Sequence, residues 1–346
     1  MSPIAVDLFS DTVTRPTPAM RRAMADAEVG DEQNREDPTV NRLQAMAAEL
    51  LGKEAALFLP SGTMCNQVAF AVHCRAGDEI LLHEQAHPLL YEAGGPAALI
   101  GAVMRPLAGG RGLYSAEQVR QAVRPRVHYM PRTRALSIEQ TANIVGGVCW
   151  PLALVQEVCA AGHEAALACH MDGARLMNAV VATGTPAADF AAPVDSVWMD
   201  LTKGLGAPVG AVLAGSSAFI EDAWVFKQRF GGAMRQAGII AAAGIYALQH
   251  HVERLAEDHE SARRLARGLA ELPGIAVDAD RVETNIVIFD VRGSGLTGEA
   301  FGQRTERLGV RFSVLGPTLV RAVTHLDVPA DGVERALSAA RMALEE

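Results

Sequence analysis

Between residues 55 and 215 the chain keeps switching between short apolar runs and longer stretches of helical period. The strand-like runs are Ala55 to Leu59, Glu79 to Leu82, Ala135 to Ile138, Ala165 to Cys169, Ser196 to Met199 and Gly210 to Ala214. Helical periodicity covers Asn41 to Leu51 and Asn66 to Cys74, and the apolar stretch from Ala237 to Leu248 reads as a buried helix. Short apolar runs separated by helices predict an α/β architecture with a mostly parallel, helix-covered sheet.

The pattern changes after about residue 250. A polar helix over 251–271 precedes strand-like segments at Asn285 to Phe289, Val310 to Val314 and Leu319 to Val323, and a terminal helix covers 331–345. These predict a smaller α+β unit. The expected division is 1–250 for a large domain that includes the N-terminal segment, and 251–346 for a small one.

Composition excludes some functions. A formal net charge of -9 with no basic block argues against nucleic-acid or acidic-membrane partners. The first residues lack a basic stretch followed by an apolar one, so no secretory signal is read, and no apolar run is long enough to span a bilayer. The cysteines, Cys65, Cys74, Cys149, Cys159 and Cys169, are odd in number and form no C-x-x-C pair. That suits reduced thiols in a cytoplasmic protein, with no metal site.

Three polar clusters sit where strands end, the place where parallel α/β sheets collect ligands. Pro60-Ser61-Gly62-Thr63-Met64 lies between a strand and a helix, where exposed N–H groups suit a phosphate; many such turns look alike. Met171-Asp172-Gly173-Ala174-Arg175 offers an acid that either pairs with a cation or only caps the next helix. Asp200-Leu201-Thr202-Lys203-Gly204 offers an amine, either a surface lysine or a nucleophile toward an aldehyde. Together, in this order, a phosphate cradle, an acid and an amine match the needs of pyridoxal 5'-phosphate (PLP).

The ordered motifs go further. Ser10-Asp11-Thr12-Val13-Thr14-Arg15-Pro16, Glu36-Asp37-Pro38-Thr39, Ser61-Gly62-Thr63, Ala86-His87, Asp172-Gly173-Ala174-Arg175, Lys203-Gly204-Leu205, Met234-Arg235-Gln236 and Arg321-Ala322-Val323-Thr324-His325 run through nearly the whole chain. In these the sequence resembles the L-threonine aldolases, fold-type I PLP-dependent enzymes. The resemblance implies a large domain with a seven-stranded, mostly parallel sheet, a small C-terminal domain, and a homotetramer built as a dimer of dimers. It implies reversible retro-aldol cleavage of 3-hydroxy-L-amino acids, such as L-threonine or L-allo-threonine, to glycine and an aldehyde. Lys203 is then the Schiff-base lysine, Asp172 the partner of the pyridine nitrogen and His87 the imidazole stacked on the ring. Gly62, Thr63 and a neighbouring subunit's Arg235 take the phosphate, and Thr202 adjoins the lysine. Ser10, Arg175 and Arg321 take the substrate carboxylate, for which a planar guanidinium is suited. The alternative within the same chemistry is a β-eliminating lyase or dehydratase.

The chain also departs from the family. Asn34 stands where many members have tyrosine, Glu139-Gln140-Thr141-Ala142 replaces Glu-Asn-Thr-His, and where members have a histidine either Tyr129 replaces it or a one-residue shift restores it as His128. Ala233 replaces a glycine, and Thr202 replaces a serine. These changes leave the cofactor residues in place and predict an altered preference for the aldehyde, toward larger or aromatic substituents.

Overall fold

In chain order the strands are β1 (Val6–Asp7), β2 (Ala55–Leu59), β3 (Glu79–His83), β4 (Val103–Leu107), β5 (Thr133–Glu139) and β6 (Ala168–Gly173). They continue with β7 (Ser196–Asp200), β8 (Ala211–Gly215), β9 (Ile286–Asp290), β10 (Val310–Arg311), β11 (Ser313–Val314) and β12 (Leu319–Val323). They come from a computed structural model that describes residues 3–345. Seven of them form the central sheet in the order β2-β8-β7-β6-β5-β3-β4. Only β8 runs antiparallel to its neighbours. The expected fold-type I architecture is present, with a mostly parallel sheet of seven strands and a small antiparallel sheet, β11-β12-β9, near the C-terminus.

Alternation along β2 shows how the sheet is buried on both faces. Phe58 packs with Leu43 and Leu51, while Leu57 and Leu59 pack with Val68 and Phe219. Successive side chains of a strand point to opposite faces, so one apolar run serves two helical layers. A further core gathers Phe289, Phe301 and Phe312 with Leu265 and Leu269. Val6 and Leu8, from the other end of the chain, complete it.

Three elements differ from their sequence reading. The strand expected from Ala165 begins at Ala168, because the helix Leu152–Glu164 closes in a turn in which Gly162 O accepts from both Ala165 N and Leu167 N. The strand runs on to Gly173 through His170 and Asp172, polar residues that break the apolar pattern. β4 contains Arg105 and Pro106; its proline is tolerated because β4 is an edge strand paired only with β3. The segment from Val310 to Val314 splits at buried Phe312, its first half pairing with β1 and its second with β12.

The parallel strands β5, β6 and β7 end together at Glu139, Gly173 and Asp200, and the N-terminal segment crosses that edge. Asp11, wholly buried, pins the segment there. It accepts from Arg175 Nε at 2.8 Å and Nη2 at 2.7 Å, and from Asn285 Nδ2 at 3.1 Å. Thr14 Oγ1 donates to Lys203 O at 2.8 Å.

Two tests of this framework follow from its parts. Phe289→Ala should cost about 3–5 kcal/mol by urea denaturation, because the aromatic cluster around it has rings 5.7 Å away on two sides and leaves a cavity. Burial alone would raise the carboxyl of Asp11, but Arg175 overrides it and holds the group at about 2, below the ordinary 3.8. A carboxyl depressed by folding contributes stability that is present above its unfolded value and lost as pH falls through its folded one. Wild type should therefore lose roughly 2 kcal/mol from this group between about pH 4 and pH 2. Asp11→Asn should lack that acid-dependent loss in denaturation curves taken across the range.

Candidate active site

A cavity of about 660 Å³ opens at the carboxyl ends of the sheet strands. Ser10, Gly62, Thr63, His87, Asp172, Arg175, Thr202, Lys203 and Arg321 all line it. Residues spread over most of the chain thus meet at one place. Arg235 does not line the cavity of its own chain; its exposed side chain pairs with Asp31 at 3.0 Å.

The wall at Ser61 is the start of the helix Gly62–His73. Ser61 Oγ accepts from Met64 N at 3.2 Å and so caps the helix. The first N–H groups of a helix have no partner within it and favour an anion. A Cβ at Gly62 would lie 2.2 Å from Trp198 Cη2, so only glycine lets the helix start this close to β7.

Lys203 has φ +51, in the left-handed region that a side chain with a Cβ rarely adopts. Its carbonyl accepts from Thr14 Oγ1 and Gly206 N, which holds the turn in place. Its Nζ contacts Asp200 Oδ2. Asp200 Oδ1 accepts from Thr202 Oγ1 at 2.7 Å and Thr202 N at 2.9 Å, so the hydroxyl of Thr202 orients the acid beside the amine.

Across the cavity, Asp172 Oδ1 accepts from Ala174 N at 3.0 Å and Oδ2 from Asn66 Nδ2 at 2.8 Å. Burial raises its carboxyl above the usual range, against the pull of His87 and Asn66. His87 Nδ1 lies 2.9 Å from Glu92 Oε1. Burial pushes this imidazole down, but the bond to Glu92 and the charge of Asp172 leave it raised. Burial and the charge of Asp172 push Glu139 up to about 7, although His87 N and Asn143 N donate to it at 2.9 and 3.1 Å. Burial therefore favours the protonated form of Glu139 at the edge of the cavity.

The two arginines differ. Arg175 pairs through Nε and Nη2 with Asp11, which leaves the hydrogens of Nη1 for a further acceptor at the cavity. Arg321 Nη1 donates to Asn143 Oδ1 at 3.1 Å and Nη2 to Phe9 O at 3.4 Å, while its buried Nε has no partner among the described residues. No carboxylate lies within ion-pair distance of Arg321 among the described residues. Burial, followed by the charge of Arg175, lowers its pKa. A buried guanidinium without a counter-charge suits an incoming carboxylate.

Asn66, Glu92 and Asp200 belong to this site, although the sequence pattern gives no role to the first two: Asn66 follows the Pro60–Met64 turn inside an apolar-looking helix, and Glu92 lies outside the strand-end motifs. Tyr91 lines the cavity beside His87, with ring centroids 5.6 Å apart. Asn34, His128 and Tyr129 do not line it, and Tyr129 is 72% exposed. Ala142 is buried in a β-bridge with Val148.

Known proteins match along this same frame. The model of the β-eliminating lyase family matches residues 7–293. The low-specificity L-threonine aldolase of Escherichia coli K12 is 43% identical, over 93% of this chain and 94% of its own. The low-specificity L-threonine aldolase 1 of Arabidopsis thaliana is 39% identical, over 98% and 96%. A solved Leishmania major threonine aldolase superposes with a TM-score of 0.83 at 18% identity, over 98% of this chain and 99% of that one, and shares the fold. A solved putative L-allo-threonine aldolase of Listeria monocytogenes gives 0.81 at 19% identity, over 98% and 96%. The chain belongs to the β-eliminating lyase family and, within it, stands with the low-specificity L-threonine aldolases.

Proposed function

We propose that the protein is a PLP-dependent aldehyde-lyase that reversibly cleaves 3-hydroxy-L-amino acids, L-threonine and L-allo-threonine among them, to glycine and an aldehyde. The observation that carries the substrate class is the unpaired guanidinium of Arg321 in a cavity that also holds Lys203 and Asp172. The threonine aldolases among its relatives support the bond that breaks.

The donor set fits PLP. The N–H groups of Gly62 and Thr63 would hold its phosphate, Asp172 its ring nitrogen, His87 its ring face and Lys203 its aldehyde carbon. When bound, PLP supplies a protonated ring that accepts the electron pair of the breaking bond. Arg321 binds the substrate carboxylate, and Ser10 flanks it. Arg175 keeps Asp11, and with it the N-terminal wall, in place, and its Nη1 faces the same carboxylate. Fixing the carboxylate orients the bond to be broken, which contributes to catalysis by restricting the bound geometry. Glu139 and His87 are the two groups at hand to hold or take the proton of the β-hydroxyl.

Assembly and location extend the reading. Arg235, presented outside its own cavity by Asp31, completes the phosphate site of a partner subunit in a homotetramer built from dimers. The five unpaired, buried cysteines fit a reducing cytoplasm. Among the described residues no helix is long and apolar enough to cross a membrane.

A retro-aldol assay on L- and D-3-hydroxy amino acids tests the reaction. Glycine and aldehyde are expected; a keto acid and ammonia would instead make the protein a β-eliminating lyase, the activity for which the matched family is named. Lys203→Ala should be inactive, and cleavage at the wild-type rate would sink the mechanism. Arg321→Lys should raise KM by about tenfold or more, having lost the planar fork. The departures at Asn34, Tyr129 and Ala142 lie off the cavity of their own chain, so a panel including 3-phenylserine tests whether they act on the aldehyde at all: bulky substrates outperforming threonine support it, and the reverse order rejects it.

The pH profile tests Glu139. If its carboxylate takes the hydroxyl proton, kcat/KM should rise as pH passes through about 7. In Glu139→Gln that ascending limb should disappear. A limb that persists assigns the proton to His87.

A further inference from the structure

Asn66 lies wholly buried behind the cavity wall, on the helix Gly62–His73. Its amide is oriented by chemistry rather than by choice. Trp198 Nε1 is only a donor, so the atom 2.7 Å from it is Asn66 Oδ1. The other partner of Oδ1, His170 Nε2 at 3.1 Å, must then donate as well. Burial holds His170 neutral, at about 3, so its Nδ1 accepts from Ser196 Oγ at 2.8 Å. Ser196 Oγ in turn accepts from His73 Nε2 at 2.7 Å. Every proton in this chain is assigned from one indole.

With Oδ1 fixed, Asn66 Nδ2 points its two hydrogens at two carboxylates. One goes to Asp172 Oδ2 at 2.8 Å, the other to Glu92 Oε1 at 2.7 Å. Glu92 Oε1 also faces His87 Nδ1, and Gln67 Nε2 donates to Glu92 Oε2 at 2.5 Å. All four hydrogen-bonding positions of the Asn66 amide are used, so neither aspartate nor glutamine replaces it: the first lacks the hydrogens, and the second is longer by a methylene.

We propose that Asn66 is a positioning residue that locks Asp172 and, through Glu92, His87 into one rigid frame around the PLP ring. This rests on the PLP reading above. The two hydrogens of Asn66 separate two carboxylates that otherwise repel each other, and they fix the edge and the face of the ring relative to one another. A residue that merely filled a polar hole would affect folding alone.

The test is titration of the apoprotein with PLP, followed by absorbance, together with steady-state kinetics. Asn66→Asp keeps the acceptor for Trp198 and His170 but turns an oxygen toward Asp172 and Glu92. It should weaken PLP binding by about tenfold or more, and the visible band of the bound cofactor should titrate at a shifted pH. At saturating PLP, kcat should fall about tenfold while the KM for the amino acid stays within about twofold, since Arg321 is untouched. Asn66→Ala removes both hydrogens while leaving Trp198 and the cavity wall in place, and should weaken PLP binding about threefold. Circular dichroism establishes that each variant is folded. If Asn66→Asp does not fold, Asn66→Ala decides alone. Folded variants with PLP affinity, band titration and kcat all within about twofold of wild type overturn the inference and leave the PLP reading standing. A wild-type protein that takes up no PLP overturns the reading itself.

Discussion

The buried pair of Asp11 and Arg175 is the interaction on which the rest of the site depends. Taking both charges out of water is expensive, and such a pair is stable only if good geometry and further hydrogen bonds satisfy it. Here the guanidinium is bidentate and Asn285 supplies a further donor. Because Asn285 Nδ2 also reaches Thr324 O, the pair joins the N-terminal segment, the end of β6 and the loops around β9 and β12. Removing one partner would strand a buried charge at the junction of all three.

That junction explains why residues so distant in sequence meet. Parallel strands bring Glu139, Asp172 and Asp200 to one edge without any local contact between them. The N-terminal segment then closes one side of the cavity, and β11 and β12 close another with Ser313 and Arg321. Arg321 sits on a strand whose register, opposite Ile288 and Ser313, faces it toward the same space. Under the proposed reading the small sheet supplies Arg321 for the substrate carboxylate, and the large sheet the residues for the cofactor.

Much of this was legible because it is written locally. Apolar runs gave the central strands, and the Ser61-Gly62-Thr63 turn and Lys203 follow strands that read clearly. Read from its sequence, β6 starts too early because the turn residues Ala165 to Leu167 are apolar, and ends too early because His170 and Asp172 interrupt its apolar pattern. β4 escaped because an edge strand accommodates Arg105 and Pro106. Phe312 divides a continuous β-prone run between two sheets, an outcome decided by partners at Val6 and Val320 rather than by propensity.

Arg175 and Arg321 illustrate the harder limit. Sequence patterns give both the same task, since residue type and motif are all that can be compared. Their surroundings separate only in three dimensions, where Asp11 pairs with one while the other has no carboxylate within ion-pair distance among the described residues. The same holds for Asn66, an ordinary polar residue on an otherwise apolar helix face. Its meaning comes from an indole on β7 that fixes the amide and from two carboxylates that converge on it. A polar group with every bonding position occupied specifies its neighbours as strictly as they specify it, and Asn66 does so for Asp172 and Glu92 without reaching the cavity.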